Sequence, residues 1–247
     1  MINVSSRIDE IRFKIKEFFK DIQFDEKQHR YTYEGKQLTS VSHIVESFIE
    51  PVDFDEKAGF VALKEGKTKE EVLAEWKKIN KDSIIKGKKT HNFAEVMDTL
   101  LPSTEEEKQV VKFWTDLQEE YPFRYIILWK ECRMVHKVNY YSGTCDIILY
   151  DTLEDKIVIP DYKTNKDIFK CFKEKKLLNP FELMLDNPFN HYQIQLSLYD
   201  RLFSQIGIQV SERWLIWIKK DSYSLFKTKD LKSELDKWME DKTFILN

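Results

Sequence analysis

Asp161 and Lys163 stand two residues apart at the end of the apolar run KIVIPDYKT, residues 156–164. Side chains on a strand alternate between faces, so this carboxylate and this ammonium project to the same side. Acid-x-Lys triplets also occur at Glu34–Lys36, Asp55–Lys57, Glu75–Lys77 and Asp230–Lys232, so the triplet alone decides nothing. Its setting says more. The segment GTCDIILYDTLEDKIVIPDYKT reads as a β-hairpin in which Asp151 and Lys156 are the last facing pair. That register sets Tyr150 opposite Ile157, Leu149 opposite Val158, Ile148 opposite Ile159 and Asp146 opposite Asp161. Facing residues have Cβ atoms about 5 Å apart, so two carboxylates are expected to meet at the far end of an apolar hairpin. Such a pair raises one pKa or recruits a cation. Two readings are open. Either Lys163 forms an ordinary salt bridge, or the carboxylates hold a divalent cation of the kind that uses one or two carboxylates, water and substrate phosphate. The second arrangement suits phosphodiester hydrolysis.

The elements that must position these groups can be read from periodicity. Ile8, Ile11, Ile15, Phe18, Phe19 and Ile22 recur at helical spacing, and a short hairpin is expected over residues 23–35. TSVSHIVESF opens with helix-capping residues, residues 54–101 carry helical patterning with a break expected near residues 80–83, and Ser103 is the expected cap of a helix over 104–120. From residue 123 the runs FRYIILWKECRMVH, YYSGTCDIILY and KIVIPDYK are rich in β-branched and aromatic residues and predict strands. A helix near 190–206, strands at RWLIWIK and 223–226, and a C-terminal helix complete the pattern. The fold class expected is α/β, one sheet flanked by helices. A mainly helical region, residues 1–122, stands beside a sheet core, residues 123–247, in one continuous domain. The long connection from Lys166 to Asn190 is expected to be a functional and mobile element.

Composition bounds the partners. With 247 residues and 42% hydrophobic content the chain can bury a large core. No stretch is apolar for long enough to span a bilayer, so no membrane partner is expected and the expected compartment is the cytoplasm. Cys132, Cys145 and Cys171 form no CxxC pair, which points to reduced, packed thiols. A net charge of −3 argues against a protein that coats nucleic acid with its whole surface, but a local basic groove remains open. Two stretches are locally positive, residues 64–89 and KTNKDIFKCFKEKK at 163–176; each alone reads as a solvated face.

Four segments in order carry a resemblance to a known group. GKKTHNFAE, GTCD, PDYK and QLSLY follow one another as the motifs of the PD-(D/E)XK nuclease superfamily do, in its RecB-like and lambda-exonuclease-like branch. The resemblance covers about residues 86–200. It implies a restriction-endonuclease-like core and a metal bound by Asp146, Asp161, His91 and the backbone carbonyl of Tyr162, with Glu95 supporting a second ion. Mg²⁺ or Mn²⁺, one or two ions, is the implied cofactor. Asp146, Asp161 and Lys163 are the implied catalytic set, with Lys163 orienting the attacking water and stabilising charge on phosphate. Gln195 and Tyr199, four apart on one helix face, are implied to position the substrate or the water. Lys166, Lys170 and Lys173 are expected to contact phosphates, and Phe169, Phe172, Phe181 and Phe189 are candidates to stack on bases. No cysteine follows Cys171, so the iron–sulfur cluster found in some RecB-like nucleases is not expected. The implied activity is a DNA exonuclease acting on a free or single-stranded end. A structure-selective endonuclease and a non-cleaving binding module are the alternatives.

Overall fold

A computed structural model describes residues 4–28, 30–240 and 242–246. Ile8, Ile11, Ile15 and Phe19 are the buried stripe of the first helix, α1 (Val4–Phe19). Three short strands follow, β1 (Gln23–Asp25), β2 (Arg30–Tyr33) and β3 (Lys36–Ser40). The hairpin expected over residues 23–35 is therefore two strands of a three-strand meander; residue 29, in its first turn, lies outside the described residues. The second turn is Glu34-Gly35, both at positive φ (51° and 74°), the geometry that two-residue hairpin loops require. Ser40 then caps α2 (Val41–Glu46) by accepting the His43 N–H.

The helix break expected near residues 80–83 lies instead at 66–68. Gly66, at φ 67°, ends α3 (Phe54–Glu65) in the left-handed region, and Thr68 with Glu71 forms a capping box that starts α4 (Lys69–Val96). These are stronger terminators than the polar run at 80–83, which stays helical. The next helix, α5 (Glu105–Glu120), is capped by Thr104 and not by Ser103. Ser103 serves the same turn differently, donating its N–H and hydroxyl to Glu107 at 2.5 and 2.8 Å.

The strands β4 (Tyr125–His136), β5 (Tyr141–Asp151), β6 (Lys156–Lys163), β7 (Val210–Ile218) and β8 (Tyr223–Lys227) form the centre of a mixed sheet. Between β6 and β7 lies α6 (Pro188–Ser204); after β8 come α7 (Lys232–Met239) and the short β9 (Ile245–Leu246), which pairs with β3 and was not expected from the sequence. The order is β1-β2-β3-β5-β6-β7-β8, with β4 on the second edge of β5. Its parallel pairings, β3 with β5 and β6 with β7, are spanned by helices, as such crossovers require. Residues 1–122 thus supply β1 to β3 to the same sheet, and α1 packs into the same core as β4, β5 and α6. The expected α/β class is what the chain adopts.

One topological detail positions the site. β4 covers one edge of β5 from Tyr141 to Asp151. On the other edge, β3 pairs only with Tyr141 and Ser142, and β6 only with residues 149–151. Between them β5 has no strand neighbour over residues 143–148, an opening in the middle of the sheet that holds the sequence GTCDII. One face is covered by α1, α2, α6 and α7, the other by α5 and the end of α4.

The connection over residues 164–187 is tied down. Ile168, Leu177 and Phe181 are buried, Leu178 donates its N–H to Phe48, and Phe189 donates to Ile168. The mobile element expected here is therefore an anchored loop with an exposed outer edge. Cys132 and Cys145 are buried and Cys171 is half-buried, in line with packed thiols. No helix among the described residues is long and apolar enough to cross a membrane.

Candidate functional site

The expected hairpin register holds for Asp151–Lys156, Tyr150–Ile157 and Leu149–Val158, and there the ladder ends. Ile148 with Ile159 and Asp146 with Asp161 do not pair as strand neighbours. The physical reason is visible at Tyr162, whose N–H is taken by Asp146 Oδ2 at 3.1 Å in place of a β5 carbonyl. A side chain replaces the strand and wedges β5 and β6 apart. Asp146 and Asp161 still lie near one another, close enough that both charges act on His91 and on Lys163.

Four elements deliver the groups around this opening. From α4, His91 places Nδ1 3.2 Å from Asp146 Oδ2 and Nε2 2.9 Å from the Tyr162 carbonyl. From β4 comes Glu131, which the sequence reading missed. One donor atom each from His91, Glu131 and Asp146 fall within 4.8 Å of one another, a spacing that can hold a metal ion. Glu95, expected to support a second ion, is outside this group; it is exposed, and its carbonyl accepts from Lys130 at 2.9 Å. A one-residue bulge at Leu128 shifts the β4–β5 register, after which Lys130 faces Ile147 and Cys132 faces Cys145. Glu131 therefore lies across from Asp146, and it sits at φ 52°. A positive φ on a non-glycine strand residue costs about 1–3 kcal/mol and collects at functional positions.

From β6, Asp161 and Lys163 point to the α6 side while Tyr162 points the other way, its hydroxyl accepting from Trp114 Nε1 at 2.6 Å. Lys163 Nζ lies 2.6 Å from Asp161 Oδ2 in a close ion pair, and Lys163 is the one group that meets that buried oxygen among the described residues. From α6, Gln195 Nε2 reaches Asp161 Oδ1 at 3.5 Å and the Tyr199 hydroxyl at 3.0 Å. Tyr199 is buried, so it steadies Gln195 and does not face a substrate as expected. Tyr192, one turn earlier and also missed, sets its ring 4.7 Å from Lys163 Nζ and donates its hydroxyl to Asn165.

The electrostatics follow from burial and imbalance. Burial pushes Glu131 up to about 7, and the Asp146 charge adds to it. Burial likewise raises Asp161, to about 6, against the pull of Lys163. Burial would lower His91, but the Asp146 charge and hydrogen bond outweigh it and lift the imidazole to about 9. Asp146 is held low against burial by His91 and Lys163. Lys163 stays above the usual lysine range despite burial because Asp161 and Asp146 flank it. Three carboxylates thus share two cationic side chains. Oxygen-rich donors with one imidazole and a carbonyl fit a hard divalent ion such as Mg²⁺ or Mn²⁺.

The expected contact residues divide. Lys166, Lys170 and Lys173 are exposed. Lys175, in the same basic run, is paired with Glu50 at 2.5 Å. Phe181 packs in the core on Phe48, and Phe169 and Phe189 belong to an aromatic cluster with Phe226. Phe172 is exposed, with Lys57 Nζ 5.2 Å from its ring.

No family model matches this sequence, and no curated protein matches it. Among solved structures it is similar to one described as the crystal structure of SSO0001, with 14% identity over 98% of this chain and 84% of that chain, at a TM-score of 0.39. A likeness of that size carries no functional argument.

Proposed function

We propose that this protein is a Mg²⁺- or Mn²⁺-dependent deoxyribonuclease that hydrolyses phosphodiester bonds from DNA ends. The observation that carries the reading is the meeting of His91, Glu131 and Asp146 with the Asp161–Lys163 pair in the opening of the sheet. The ordered likeness of its motifs to the PD-(D/E)XK superfamily supports it, with Glu131 taking the place first given to Glu95.

His91, Glu131, Asp146 and Asp161 would hold the ion, the Tyr162 carbonyl adding an oxygen if His91 turns from it. A divalent ion in such a site supplies a water of lowered pKa and polarises the phosphate. The protein does the rest. Lys163, kept protonated by the carboxylates and buttressed by the Tyr192 ring, is preorganised to meet charge developing on a phosphate oxygen. Gln195, held by Tyr199, fixes Asp161. Preference for ends draws support from the α3–α4 hairpin, which meets the loop after β6 at two places. Lys57 lies over Phe172, and Gly87 is close enough to Thr164 that an added Cβ would sit 3.7 Å from its hydroxyl. A bridged entrance of this kind favours a threaded strand over an uninterrupted duplex.

The test uses end-labelled linear DNA and closed circular single-stranded DNA, each with Mg²⁺ and with EDTA. Progressive loss of the linear substrate, persistence of the circle and silence in EDTA are expected, with Asp146→Asn and Lys163→Met inactive. Rapid linearisation of the circle would replace this reading by a structure-selective endonuclease. DNA binding with no cleavage in either metal would replace it by a binding module.

A further inference from the structure

The middle of α4 does not behave as part of the core. Between Val72 and Thr90 no residue of this helix is buried. Past the contacts of Leu73 and Trp76 with α3, a helical stretch that buries no side chain needs a reason to persist, through pairing or through a partner. Pairing is scarce here. Residues 77–89 carry six lysines against one acid, Asp82, and among the described residues only Lys86 is in an ion pair, with Glu106 at 3.6 Å. By contrast, Lys67 and Lys69 around the start of the same helix, Lys112 on α5 and Lys130 on β4 all have carboxylate partners.

The lysines are not scattered evenly around the helix. Lys77, Lys81, Ile84, Lys88 and His91 follow one another at intervals of four, three, four and three residues, which places them on one face. Lys77, Lys81 and Lys88 are exposed and have no ion pair among the described residues. Lys77 and Lys81 repel at the i, i+4 spacing, a cost that their own helix does not offset. His91, at the end of the same stripe, is the residue that touches Asp146. At 1.5 Å per residue the stripe runs about 21 Å outward from His91, the axial length occupied by roughly six phosphates of one duplex strand.

We propose that Lys77, Lys81 and Lys88 form a phosphate-binding track that holds the nucleic acid backbone on one side of the bond entering the site. The inference rests on the nuclease reading above and adds a substrate surface separate from the loop lysines 166, 170 and 173. Charge complementarity and continuity with His91 select this occupant. An anionic membrane is the other polyanion to weigh, but the stripe carries a single exposed apolar residue, Ile84, while exposed Ile79 and Ile85 lie on other sides of the helix, so no continuous apolar face accompanies the lysines as a lipid surface demands.

The test compares wild type, the triple variant Lys77→Gln/Lys81→Gln/Lys88→Gln, and a control of equal charge change, Lys16→Gln/Lys27→Gln/Lys237→Gln. Binding of a fluorescein-labelled DNA with a single-stranded end is followed by anisotropy in EDTA across a salt series. The expected result is that the track variant binds at least tenfold more weakly at low salt and that its log–log salt slope flattens by about 2–3, at roughly 0.7–0.9 per lost phosphate contact. The control should match wild type. Mn²⁺-dependent hydrolysis of bis-p-nitrophenyl phosphate, too short to reach the track, should be unchanged in the track variant. Wild-type affinity and slope in that variant would overturn the track while leaving the nuclease reading intact. Absence of DNA binding by wild type would overturn both, and stripe-dependent binding to phosphatidylserine vesicles in its place would identify the membrane as the occupant.

Discussion

Replacing Gly143 by alanine tests how tightly the opening in the sheet is built. Gly143 lies on β5 opposite Met134, in the stretch without a second strand neighbour. A Cβ added there would sit 2.6 Å from Tyr199 Cε1 and 3.1 and 3.3 Å from Val41 Cγ2 and Cβ. Carbon atoms reach their optimum near 3.5–4.0 Å, so the tyrosine ring must yield by about 1 Å. It has little room, being 4% exposed, while Val41 at 1% blocks the other direction. Gly143 is not at positive φ, so alanine brings no backbone strain and gains about 0.4–1 kcal/mol from a less flexible unfolded chain. Overpacking costs about 1–3 kcal/mol. The expected net loss is about 1–2 kcal/mol, read as a lower urea midpoint with an unchanged slope. Because the clash involves one ring edge, Tyr199→Leu should relieve it, and the double variant should be more stable than the two single losses predict by about 1 kcal/mol. A wild-type midpoint for Gly143→Ala, or additive behaviour in the cycle, would refute the close approach. Since Tyr199 steadies Gln195 and through it Asp161, the single variant should also lose more activity than its stability change explains.

Three further outcomes are expected. His136 is buried, pressed further by Arg201, and its imidazole falls to about 4, whereas an unfolded histidine titrates near 6.5. The unfolded chain takes up a proton that the folded state refuses, so stability present above about pH 6.5 should decline by about 3 kcal/mol toward pH 4. Urea titrations across that window check it, and His136→Gln should flatten the slope. Lys163→Met leaves Asp161, 1% exposed, without its ion partner and should cost about 3 kcal/mol at neutral pH, most of it recovered by adding Asp161→Asn; an unaltered thermal midpoint for the single variant would refute the pairing. Glu131→Gly relieves a positive φ while deleting a donor, so it should keep wild-type stability in EDTA and lose most of the thermal stabilisation that Mn²⁺ gives wild type. Equal stabilisation by Mn²⁺ would remove Glu131 from the ligand set.

Much of this arrangement was legible before any coordinates, and the failures have physical causes. The register at the closed end of the β5–β6 hairpin followed from apolar alternation and turn length. Its failure beyond Leu149 did not, because the ladder is cut by a side chain, Asp146, that competes for the Tyr162 N–H. Glu95 was chosen from its spacing one turn beyond His91, but its side chain is exposed and falls outside the His91–Glu131–Asp146 group, though its charge still adds to the rise of Glu131. Glu131, in WKECR, was not singled out at all. Extending the facing-pair argument from β5 to β4 would have set it against Asp146, apart from the bulge at Leu128, which no residue type announces. Tyr192 had the strongest unused signal, being one turn before Gln195 on the same face of α6.

The distribution of unfavourable features is itself an argument about purpose. A sheet selected for stability would continue β6 along β5 past Leu149 and fill the space with aliphatic side chains. Here the pairing stops and three carboxylates crowd two cationic groups. Asp161 Oδ2 relies on the Lys163 ammonium alone, and Glu131 adopts a left-handed backbone inside a strand, which costs about 1–3 kcal/mol. Structural salt bridges elsewhere in the chain do not look like this. Arg124 and Asp151 meet in two aligned hydrogen bonds at 3.0 and 2.8 Å, and Asp151 accepts two more backbone N–H groups. Asp200 shares its two oxygens between Arg213 and Lys232. Those carboxylates are satisfied by the protein alone. Around Asp146 and Asp161 three carboxylates stand against two cationic groups, an imbalance that a proton on Glu131 offsets and that, under the function proposed above, a divalent ion would offset instead.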